Sequence, residues 1–261
     1  MKNSQTTVSA RREKILAYMK SSGIAKVSDI AAAFHVSELT VRRDFDELAS
    51  EGKIERFHGG AVLSEPSDVE TQDRLNTLSY KQAIAKKAAD MVDDYDTIFI
   101  NSSSTALLLL KYVTAKRITV ITNNGKALFA ARPDDSILIF TGGEIRFPKN
   151  AMVGDFATSN LSKVTASKCF MGCAGISLSH GVMSTVLQEA AINELMIRHT
   201  NGEKVILADH RRFDCIHPFR TCAIEEITHL ITDTDVPGSA MESFRKRGIK
   251  VSQVKPSRIV T

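Results

Sequence analysis

Apolar residues recur at helical spacing in the first part of the chain, and polar breaks separate three such segments. In the first segment, Ile15, Leu16 and Met19 fall on one face of a helix predicted to begin near Arg11. The Ser-Ser-Gly sequence at residues 21–23 should end this helix, because glycine is a common C-terminal stop. We expect the polar residues 1–9 that precede it to be frayed.

The second segment is a short, alanine-rich helix predicted over residues 29–34. Ser28 is its predicted N-cap, because a serine hydroxyl can accept a hydrogen bond from a backbone N–H of the first turn. The spacing turns Ile30, Ala33 and Phe34 inward, toward a shared core.

The third segment is a helix with one apolar face and one polar face. Ser37 is its predicted N-cap, and Val41, Phe45 and Leu48 are spaced i, i+4, i+7 as a core stripe. The polar residues near its opposite side are Glu38, Thr40, Arg42 and Arg43. Two short helices around such a break predict a helix-turn-helix over about residues 24–45, whose second helix lies in the major groove of DNA.

The stretch that follows alternates into a Gly59-Gly60 turn and predicts a two-stranded wing. Arginine can bond guanine bidentately, and basic side chains on a wing can contact phosphates or the minor groove. Taken alone, the adjacent arginines of the third helix would more often be a solvated helix face, because arginine pairs on helices are common. The wing, the short second helix and the two serine caps favour the DNA-binding interpretation. The candidate DNA-binding residues are Ser37, Glu38, Thr40, Arg42, Arg43, Arg56 and His58.

A proline-containing break at residues 64–68 interrupts every period and marks a domain boundary. We therefore predict a winged helix-turn-helix domain over residues 7–63, a linker over residues 64–79 and a larger domain over residues 80–255. Helical spacing resumes at residues 80–95, where the second domain should open with a helix.

Beyond residue 95, short apolar runs alternate with helical segments. The runs are residues 97–100, 118–121, 137–140, 169–174, 205–208, 229–232 and 249–251, and the helical segments between several of them are residues 105–113, 126–131, 186–199 and 238–247. This alternation predicts an α/β domain with a mostly parallel, open sheet.

Polar clusters follow several predicted strands, at the edge where open parallel sheets bind ligands. The cluster after residue 100 combines hydroxyl groups with the free N–H groups of a helix start, which suits phosphate. Paired glycines after residue 140 let the backbone approach a ligand, although ordinary caps and turns would explain the same residues. The candidate effector-binding residues from these clusters are Asn101, Ser102, Ser103, Ser104, Thr105, Asn123, Gly142, Gly143, Arg146, Asp209 and Arg212.

Composition is consistent with a globular protein of one large or two ordinary domains. The chain has 261 residues, of which 43% are hydrophobic and 25% charged, and its formal net charge of +4 permits an anionic partner. The first residues contain no apolar run, and no stretch approaches the roughly 18–20 apolar residues of a membrane span. The four cysteines show no CxxC spacing, so we expect reduced thiols in a cytoplasmic protein without a membrane partner.

Several of these residues together resemble the signature of DeoR-type bacterial transcriptional regulators. They are Arg11, Ile15 and Met19, the run Ser37-x-x-Thr40-Val41-Arg42-Arg43-Asp44-Phe45, and the wing phrase Arg56-Phe57-His58-Gly59-Gly60-Ala61. The resemblance implies a repressor of a sugar-catabolism operon, with a sensor domain similar in fold to ribose-5-phosphate isomerase. Its expected partners are double-stranded operator DNA and a small phosphorylated sugar or sugar-acid effector. Because paired helices read half-sites, we also expect a homo-oligomer, either dimer or tetramer.

The resemblance extends across most of the second domain and implies a role for some positions. Residues 101–105 look like the phosphate loop, residues 141–146 like the Gly-Gly loop, Glu189 like a pocket acid, and Asp209 with Arg212 like the segment after a late strand.

The chain also departs from the family pattern in these loops. Asn101 and Ser103 stand where Asp and Gly are usual, Cys173 and Ala174 are uncharged where an acid is common, and Arg212 stands where Lys is usual. Fewer acids and more amides and arginines suggest a more anionic ligand than a simple sugar phosphate. A phosphorylated sugar acid, or a sugar acid itself, is our hypothesis.

Three other interpretations fit parts of the sequence. A sugar-phosphate isomerase would need a general base, for which Glu189 is available, but Ala174 leaves the positioning acid missing. A metal site would comprise His210, Cys215, His217 and Cys222. Their spacing fits no tetrahedral zinc pattern well. The second domain could also serve assembly alone. We predict no catalytic residue, no cofactor and no metal site.

Overall fold

The computed structural model describes residues 5–22, 24–50, 53–57, 59–63, 68–147 and 149–256. Its contacts divide the chain into two compact units, Met1–Asp73 and Arg74–Thr261. Among the described residues, no helix is both long enough and apolar enough to cross a membrane.

The first unit combines three helices with a three-stranded sheet. Its elements in chain order are α1 (Gln5–Ser22), β1 (Ile24–Lys26), α2 (Val27–Phe34), α3 (Glu38–Ser50), β2 (Ile54–Phe57) and β3 (Gly60–Leu63). The central strand β3 pairs antiparallel with both β1 and β2. The β2–β3 hairpin is the predicted wing, so the winged helix-turn-helix is confirmed.

The core of this unit contains the residues that the apolar spacing selected. Its largest fully buried side chains are Ile15, Met19, Ile30, Phe45 and Leu48. Between α2 and α3, His35 adopts a left-handed conformation with φ 52° and ends α2. Ser37 then accepts a hydrogen bond from the backbone N–H of Thr40 at 3.2 Å, as predicted for an N-cap.

Two details of the predicted α2 helix are wrong. The helix begins at Val27, and the Ser28 hydroxyl donates to Asp29 at 3.1 Å instead of capping it. The reason is that β1 leads directly into α2, and the Val27 N–H is already bonded to the Gly59 carbonyl at 3.0 Å. Ala33 is exposed, so the inward face is displaced from the prediction.

Helix α1 begins at Gln5, although residues 1–9 were expected to be frayed. The segment before Arg11 contains no glycine or proline. Once the buried turn around Ile15 has formed, adding further residues to a helix costs little free energy. Residues 1–4 lie outside the described part of the chain.

The second unit is an α/β domain preceded by a long helix. Helix α4 (Asp68–Ala89) comes first, and the boundary between the two units falls within it. The other helices and strands in chain order are β4 (Thr97–Ile100), α5 (Ser104–Leu108), β5 (Thr119–Thr122), β6 (Ile137–Phe140), β7 (Glu144–Arg146), β8 (Ala151–Val153), α6 (Asp155–Leu161), β9 (Lys168–Gly172), β10 (Gly175–Ser177), β11 (Gly181–Ser184), α7 (Leu187–Arg198), β12 (Lys204–Leu207), β13 (Phe219–Cys222), β14 (His229–Asp233), α8 (Gly238–Arg245) and β15 (Lys250–Val254).

Seven strands form one parallel sheet in the order β15-β14-β12-β9-β4-β5-β6. Each of the apolar runs predicted from the sequence overlaps a strand of this sheet, with differences of at most three residues at the ends, so the mostly parallel α/β fold is confirmed. One hydrophobic cluster, which includes Ile84 and Leu109, contains residues of α4 and α5. A second cluster contains residues of α6, α7 and α8, including Met196 and Phe244. The apolar side chains of the helices and strands are thus used in these two clusters, and polar side chains follow the ends of the strands.

Two smaller sheets were not predicted. Strands β10, β11 and β13 form an antiparallel sheet, and β7 and β8 form a hairpin. The segment predicted as a helix over residues 126–131 is a 3-10 turn, Gly125–Phe129. The three-residue strands β7, β8 and β10 are too short to show a period in the sequence.

Residues 68–79, predicted as part of the linker, belong to α4. This stretch contains no glycine or proline, and Glu, Gln, Arg and Leu favour helices. It lacks an apolar stripe, however, and this absence made it resemble a linker. Residues 64–67 lie outside the described residues.

Candidate functional sites

A cleft of about 580 Å³ lies beyond the carboxyl ends of β4, β5, β9 and β12. The candidate effector-binding residues that line it are Asn101, Ser102, Ser103, Ser104, Thr105, Glu189, Asp209 and Arg212. The candidates that do not line it are Asn123, Gly142, Gly143 and Arg146. The sequence therefore located the cleft, and ligand contact by the eight lining residues stays a prediction.

Asn101 holds the loops of the cleft together. Its side-chain N–H groups donate to the Gly172 carbonyl at 2.9 Å and to Asn193 Oδ1 at 3.2 Å. Its Oδ1 accepts from the backbone N–H groups of Ser103 at 3.2 Å and Gly172 at 3.1 Å. Because Asn101 is buried and bonded at both ends, it joins β4, β9 and α7 and has little capacity left for a ligand.

Ser103 also uses its polar group within the fold. Its hydroxyl accepts from the backbone N–H groups of Thr105 at 3.2 Å and Ala106 at 3.4 Å, and so caps α5. A Cβ atom on Gly172 would lie 2.0 Å from the Ser103 hydroxyl oxygen. Glycine at the end of β9 therefore lets the β4 loop pack closely, and part of the predicted phosphate loop is already satisfied by the protein.

Glu189 is the buried acid of the cleft. It lies in the first turn of α7, is 6% exposed, and accepts from the Ser102 hydroxyl at 3.2 Å and from Lys149 Nζ at 2.8 Å. Lys149 is 49% exposed, so this bond can open toward solvent or ligand. An acid held between a hydroxyl and an ammonium group can also accept from a ligand hydroxyl.

Asp209 is the second acid of the cleft. Burial raises the pKa of its carboxyl, but the hydrogen bonds from Arg211 and the charges of Arg211 and Arg212 outweigh burial, and the pKa is lowered. Arg211 contacts it bidentately, with both N–O distances at 2.9 Å. Asp209 thus remains a carboxylate whose charge is already compensated.

Four lysines line the cleft, and sequence reasoning missed all of them: Lys81, Lys111, Lys126 and Lys149. Lys81 projects from α4, its Nζ lies 3.4 Å from the Ser104 hydroxyl, and burial lowers its pKa. Lys126 and Lys149 each lie within three residues of a predicted polar cluster, and this proximity was the available signal. Together with Arg212, the lysines give the cleft more positive than negative groups.

The Gly-Gly segment forms a packed hairpin outside the cleft. Gly143 has φ +102°, and a Cβ atom there would lie 2.3 Å from the Val153 carbonyl oxygen. Arg146 is exposed at the end of β7. The glycines therefore allow β7 to approach β8 closely, and the turn between these strands carries Lys149.

Asn123 was predicted to bind the effector, but it does not line the cleft. It is buried, and its side chain donates to the Met152 carbonyl at 3.2 Å, which ties the end of β5 to β8. Its neighbour Asn124 lines the cleft instead. Neighbouring residues at a strand end point in different directions, and the sequence does not reveal which of them points to the cleft.

The candidate DNA-binding residues within the described part of the chain lie on α3, in the turn before it and on β2 of the wing. Glu38, Arg42 and Arg43 are exposed near the start of α3, and Arg42 Nη2 lies 3.3 Å from Glu38 Oε2. Arg56 on β2 is ion-paired with Asp46 of α3. His58 lies outside the described residues. Contact of these residues with DNA stays a prediction.

Sequence reasoning did not identify the structural role of Asp44. This carboxylate is 1% exposed, and it accepts from Arg11 at 2.6 and 3.0 Å and from Arg12 at 3.2 Å. The hydrogen bond to Asp44 raises the pKa of Arg11. Arg11 and Asp44 belong to the signature that the sequence matched, and here they hold α1 against α3.

The residues considered for a metal site have other partners. Cys215 Sγ donates to the Arg211 carbonyl at 3.1 Å, and His217 Nε2 lies 3.2 Å from the Ala174 carbonyl. Within the described ranges, three possible metal ligands lie close together: the candidate ligand atoms of His210, Asp233 and Asp235 are within 4.8 Å of one another.

Protein donors already serve this cluster. Asp233 accepts from the backbone N–H groups of His210 at 2.8 Å and Asp235 at 2.9 Å. The Tyr80 hydroxyl donates to Asp235, a bond that raises the pKa of Tyr80 to about 12. A cation is therefore not required to explain why these carboxylates lie close together.

Family models match both units of the chain. The model described as "DeoR-like helix-turn-helix domain" matches residues 11–67, and the model described as "DeoR C terminal sensor domain" matches residues 76–234. A relative named uncharacterized HTH-type transcriptional regulator YulB, from Bacillus subtilis (strain 168), is 27% identical over 255 residues and covers 96% of this chain and 98% of its own.

A second relative and one solved structure are also similar to this chain. The lactose phosphotransferase system repressor of Lactococcus lactis subsp. lactis is 31% identical over 242 residues and covers 90% of this chain and 94% of its own. Ribose 5-phosphate isomerase A from Methanocaldococcus jannaschii has 16% identity and a TM-score of 0.36, over 54% of each chain.

Proposed function

The chain belongs to the DeoR family of transcriptional regulators, and on this premise we propose that it represses a carbohydrate or sugar-acid catabolic operon until a phosphorylated sugar or sugar acid binds its cleft. Its curated relatives are named regulators and repressors, so it is a regulator and not an enzyme. The observation that carries the proposal is a cationic cleft in a chain whose first unit is a winged helix-turn-helix.

The DNA half of the proposal is supported by the surface of α3. Arg42 is 56% exposed and its only described ion-pair partner is the equally exposed Glu38, so DNA can replace that partner at little cost. The start of a recognition helix contacts base edges, and a bidentate arginine–guanine pair contributes about 1–3 kcal/mol of discrimination.

Arg42→Ala tests this assignment. We expect it to relax base preference at one operator position by about 1–3 kcal/mol, because a base contact affects one position only. Binding to operator variants, followed by fluorescence anisotropy, measures the effect. Arg245→Ala, which removes an exposed helical arginine of the second unit, is the matched control and should bind like the parent chain. Equal weakening across all operator variants would show a phosphate contact instead.

The effector half of the proposal is a linkage between two binding events. An effector that binds the DNA-incompetent arrangement better than the competent one lowers operator affinity by that same ratio. One relative of this chain is named a repressor of the lactose phosphotransferase system, and lactose is a carbohydrate. The lysines and Arg212 in the cleft suit the anionic group of a phosphorylated sugar or sugar acid.

A two-stage screen tests the effector half. Phosphorylated sugars and sugar acids are screened by thermal shift, and compounds that stabilise the protein are tested for release of its adjacent promoter. Ser104→Ala, at the bond to Lys81, should blunt release while operator binding without the compound stays intact. Operator affinity that is indifferent to every stabilising compound would favour the assembly-only interpretation of the second unit.

The proposal includes a homo-oligomer, dimer or tetramer, in which two α3 helices meet two half-sites. Its support is a group of large apolar side chains that are exposed in the second unit, because association buries such side chains. They are Leu128, Phe129, Ile137, Ile139, Ile145, Phe147 and Phe156. Light scattering after size exclusion should give a multiple of the chain mass, which Phe129→Ser with Phe156→Ser reduces and Ile216→Ser does not. A monomer for the parent chain would contradict the proposal.

A further inference from the structure

Two pairs of cationic side chains lie on opposite sides of the cleft. The first pair, which we call the β12 side, consists of Arg212 in the turn after β12 and Lys81 of α4. Helix α4 packs against this turn beside Lys81, because the Tyr80 and His210 ring centroids are 4.9 Å apart and Arg211 donates to the Thr77 hydroxyl at 2.6 Å. The second pair, which we call the β5 side, consists of Lys126 in the turn after β5 and Lys149 in the β7–β8 turn.

The β5 side is fixed by backbone contacts. The Gly125 N–H donates to the Asn150 carbonyl at 2.9 Å, and an antiparallel bridge joins Asn124 to Ala151. The turn that carries Lys149 is therefore anchored to the end of β5. This anchoring keeps Lys149 on the same side of the cleft as Lys126.

The sheet order separates the two sides. From β12 to β5 the order is β12, β9, β4, β5, which is three inter-strand steps. At about 4.8 Å per step, the ends of β12 and β5 lie about 14 Å apart. A single phosphate group, whose oxygens are only a few ångströms apart, cannot contact the turns of both strands through short hydrogen bonds.

The strands between the two sides present mostly uncharged groups to the cleft. The loop after β4 supplies Ser102 and Ser104, and the end of β9 supplies Gly172, Cys173 and Ala174. The acid in this region is Glu189, which bonds Ser102 and Lys149. Hydroxyls and one buried carboxylate suit the hydroxyl groups of a carbohydrate.

The cations of the cleft are incompletely compensated. Asp209 is held by Arg211, and Glu189 is held by Lys149. Within the described part of the chain, no carboxylate lies within salt-bridge distance of Lys81, Lys126 or Arg212. Each side of the cleft therefore retains positive charge that a ligand can neutralise.

We propose that the effector carries two anionic groups, one at each end of a hydroxylated carbon chain. Arg212 and Lys81 bind one anionic group, and Lys126 and Lys149 bind the other. The ligand class is a bisphosphorylated sugar or a phosphorylated sugar acid, because both place two anions on either side of hydroxyl groups. This inference rests on the proposed effector role of the cleft and narrows it to compounds with two charged ends.

Matched pairs of compounds test the inference on the full-length chain by titration calorimetry. Fructose 1,6-bisphosphate is compared with fructose 6-phosphate, and 6-phosphogluconate with glucose 6-phosphate. At least one two-anion compound should bind tenfold or more tightly than its one-anion partner. Equal affinities within both pairs, or no binding by either two-anion compound, would overturn the inference.

Variants that remove positive charges test whether each side of the cleft binds one anionic group. The double variant Lys126→Met with Lys149→Met should lower the affinity for the two-anion compound to that for its one-anion partner. Arg212→Met, which removes a charge from the β12 side, should have the same effect. Lys163→Met removes an exposed lysine outside the cleft and should leave both affinities unchanged. An unchanged preference in the cleft variants would contradict the assignment.

The same compounds separate this inference from the proposed function. Release of operator DNA by a one-anion sugar phosphate that binds as tightly as its two-anion partner would keep the function and overturn the inference. Tight binding of a two-anion compound that leaves operator affinity unchanged would keep the two-anion site and overturn the function.

Discussion

Asp44 is almost fully buried in the first unit and balances two arginines. Its contacts with Arg11 and Arg12 join α1 to α3, the helix that carries the candidate base contacts. Removing one partner of a buried ion pair is much more costly than the pair is worth, because a desolvated charge remains. The position of α3 therefore depends on a buried residue that is not among the candidate DNA contacts.

Asp44→Asn should lower the free energy of unfolding of the first unit by about 3 kcal/mol, because both guanidinium groups lose their counter-charge. Urea denaturation of the full-length chain, followed by circular dichroism, measures the loss. Asp46→Asn is the matched control, since Asp46 is 63% exposed and such surface pairs contribute at most about 1 kcal/mol. A loss no larger than that of the control would refute the structural role of Asp44.

Single residues were where the sequence was hardest to interpret. Asn101 and Ser103 looked like ligand-binding groups, yet their hydrogen bonds are used within the fold. Lys81 and Lys149 lay in no motif, and only the folded chain brings them to the cleft. Sequence spacing reports neighbours along an element, whereas a cleft collects side chains from several elements.

At the scale of elements, two adjacent glycines lead into the β7–β8 hairpin, and only one of them lacks space for a side chain. Gly143 has φ +102° and no room for a Cβ atom, whereas Gly142 has φ +71° and its nearest neighbour would be Asn160 Nδ2 at 3.7 Å. A left-handed conformation alone costs an alanine about 1–2 kcal/mol. A backbone clash adds to this cost at Gly143 only.

Gly143→Ala should therefore destabilise the second unit by roughly 1–3 kcal/mol more than Gly142→Ala, since overpacking costs about that much. Thermal unfolding of both variants gives the comparison. Gly143→Ala should also weaken effector binding, because the hairpin turn carries Lys149. Equal losses for the two alanines would mean that the hairpin can move away from the added methyl group.

Elements with a strong pattern were predictable, and short or polar elements were not. The central strands of the parallel sheet were visible as apolar runs, because both faces of the sheet are buried there. The edge strand β6 was also visible as an apolar run, although Ile137 and Ile139 are exposed. Strands β7, β8 and β10 have three residues each, too few to show alternation. The start of α4 was missed because its first residues lack an apolar stripe.

At the scale of the whole molecule, stability should depend on pH through His229. Burial lowers the pKa of this histidine, with Lys250 and Lys87 acting in the same direction and Glu203 opposing them. Its Nε2 lies 2.9 Å from the Ser252 hydroxyl, which joins β14 to β15, and its Nδ1 is buried without a protein partner among the described residues. The unfolded chain therefore binds a proton at this site more readily than the folded chain.

A base with a lowered folded pKa contributes stability above its unfolded pKa, about 6.5, and loses it as pH falls toward the folded value. We expect the free energy of unfolding to decrease between about pH 7 and pH 5. Urea denaturation across this range measures the slope, which His229→Gln should reduce. His180→Gln, at an exposed histidine, should leave it unchanged. A slope that survives His229→Gln would assign the effect to other groups.

The division into two units and the class of each could be predicted from the sequence. In the first unit the apolar positions recur with the helical period of 3.6 residues. In the second unit short apolar runs, predicted as strands, alternate with helical segments. The effector could not be predicted in the same detail, because its recognition depends on which charged side chains the ends of four strands bring together in the cleft.

The close contact between Ser103 and Gly172 means that two kinds of amino-acid substitution have different consequences in the evolution of this domain. A Cβ atom on Gly172 would collide with Ser103, and Asn101 bonds the Gly172 backbone, so a substitution of Gly172 alone would disturb the strand ends. Lys126 and Lys149 lie on turns, where a single codon change alters the charge of the cleft and leaves that framework in place. Under the proposed function, duplicated copies of such a gene can therefore acquire new effectors through substitutions of the charged residues at the rim of the cleft, while Gly172 and its backbone contacts are retained.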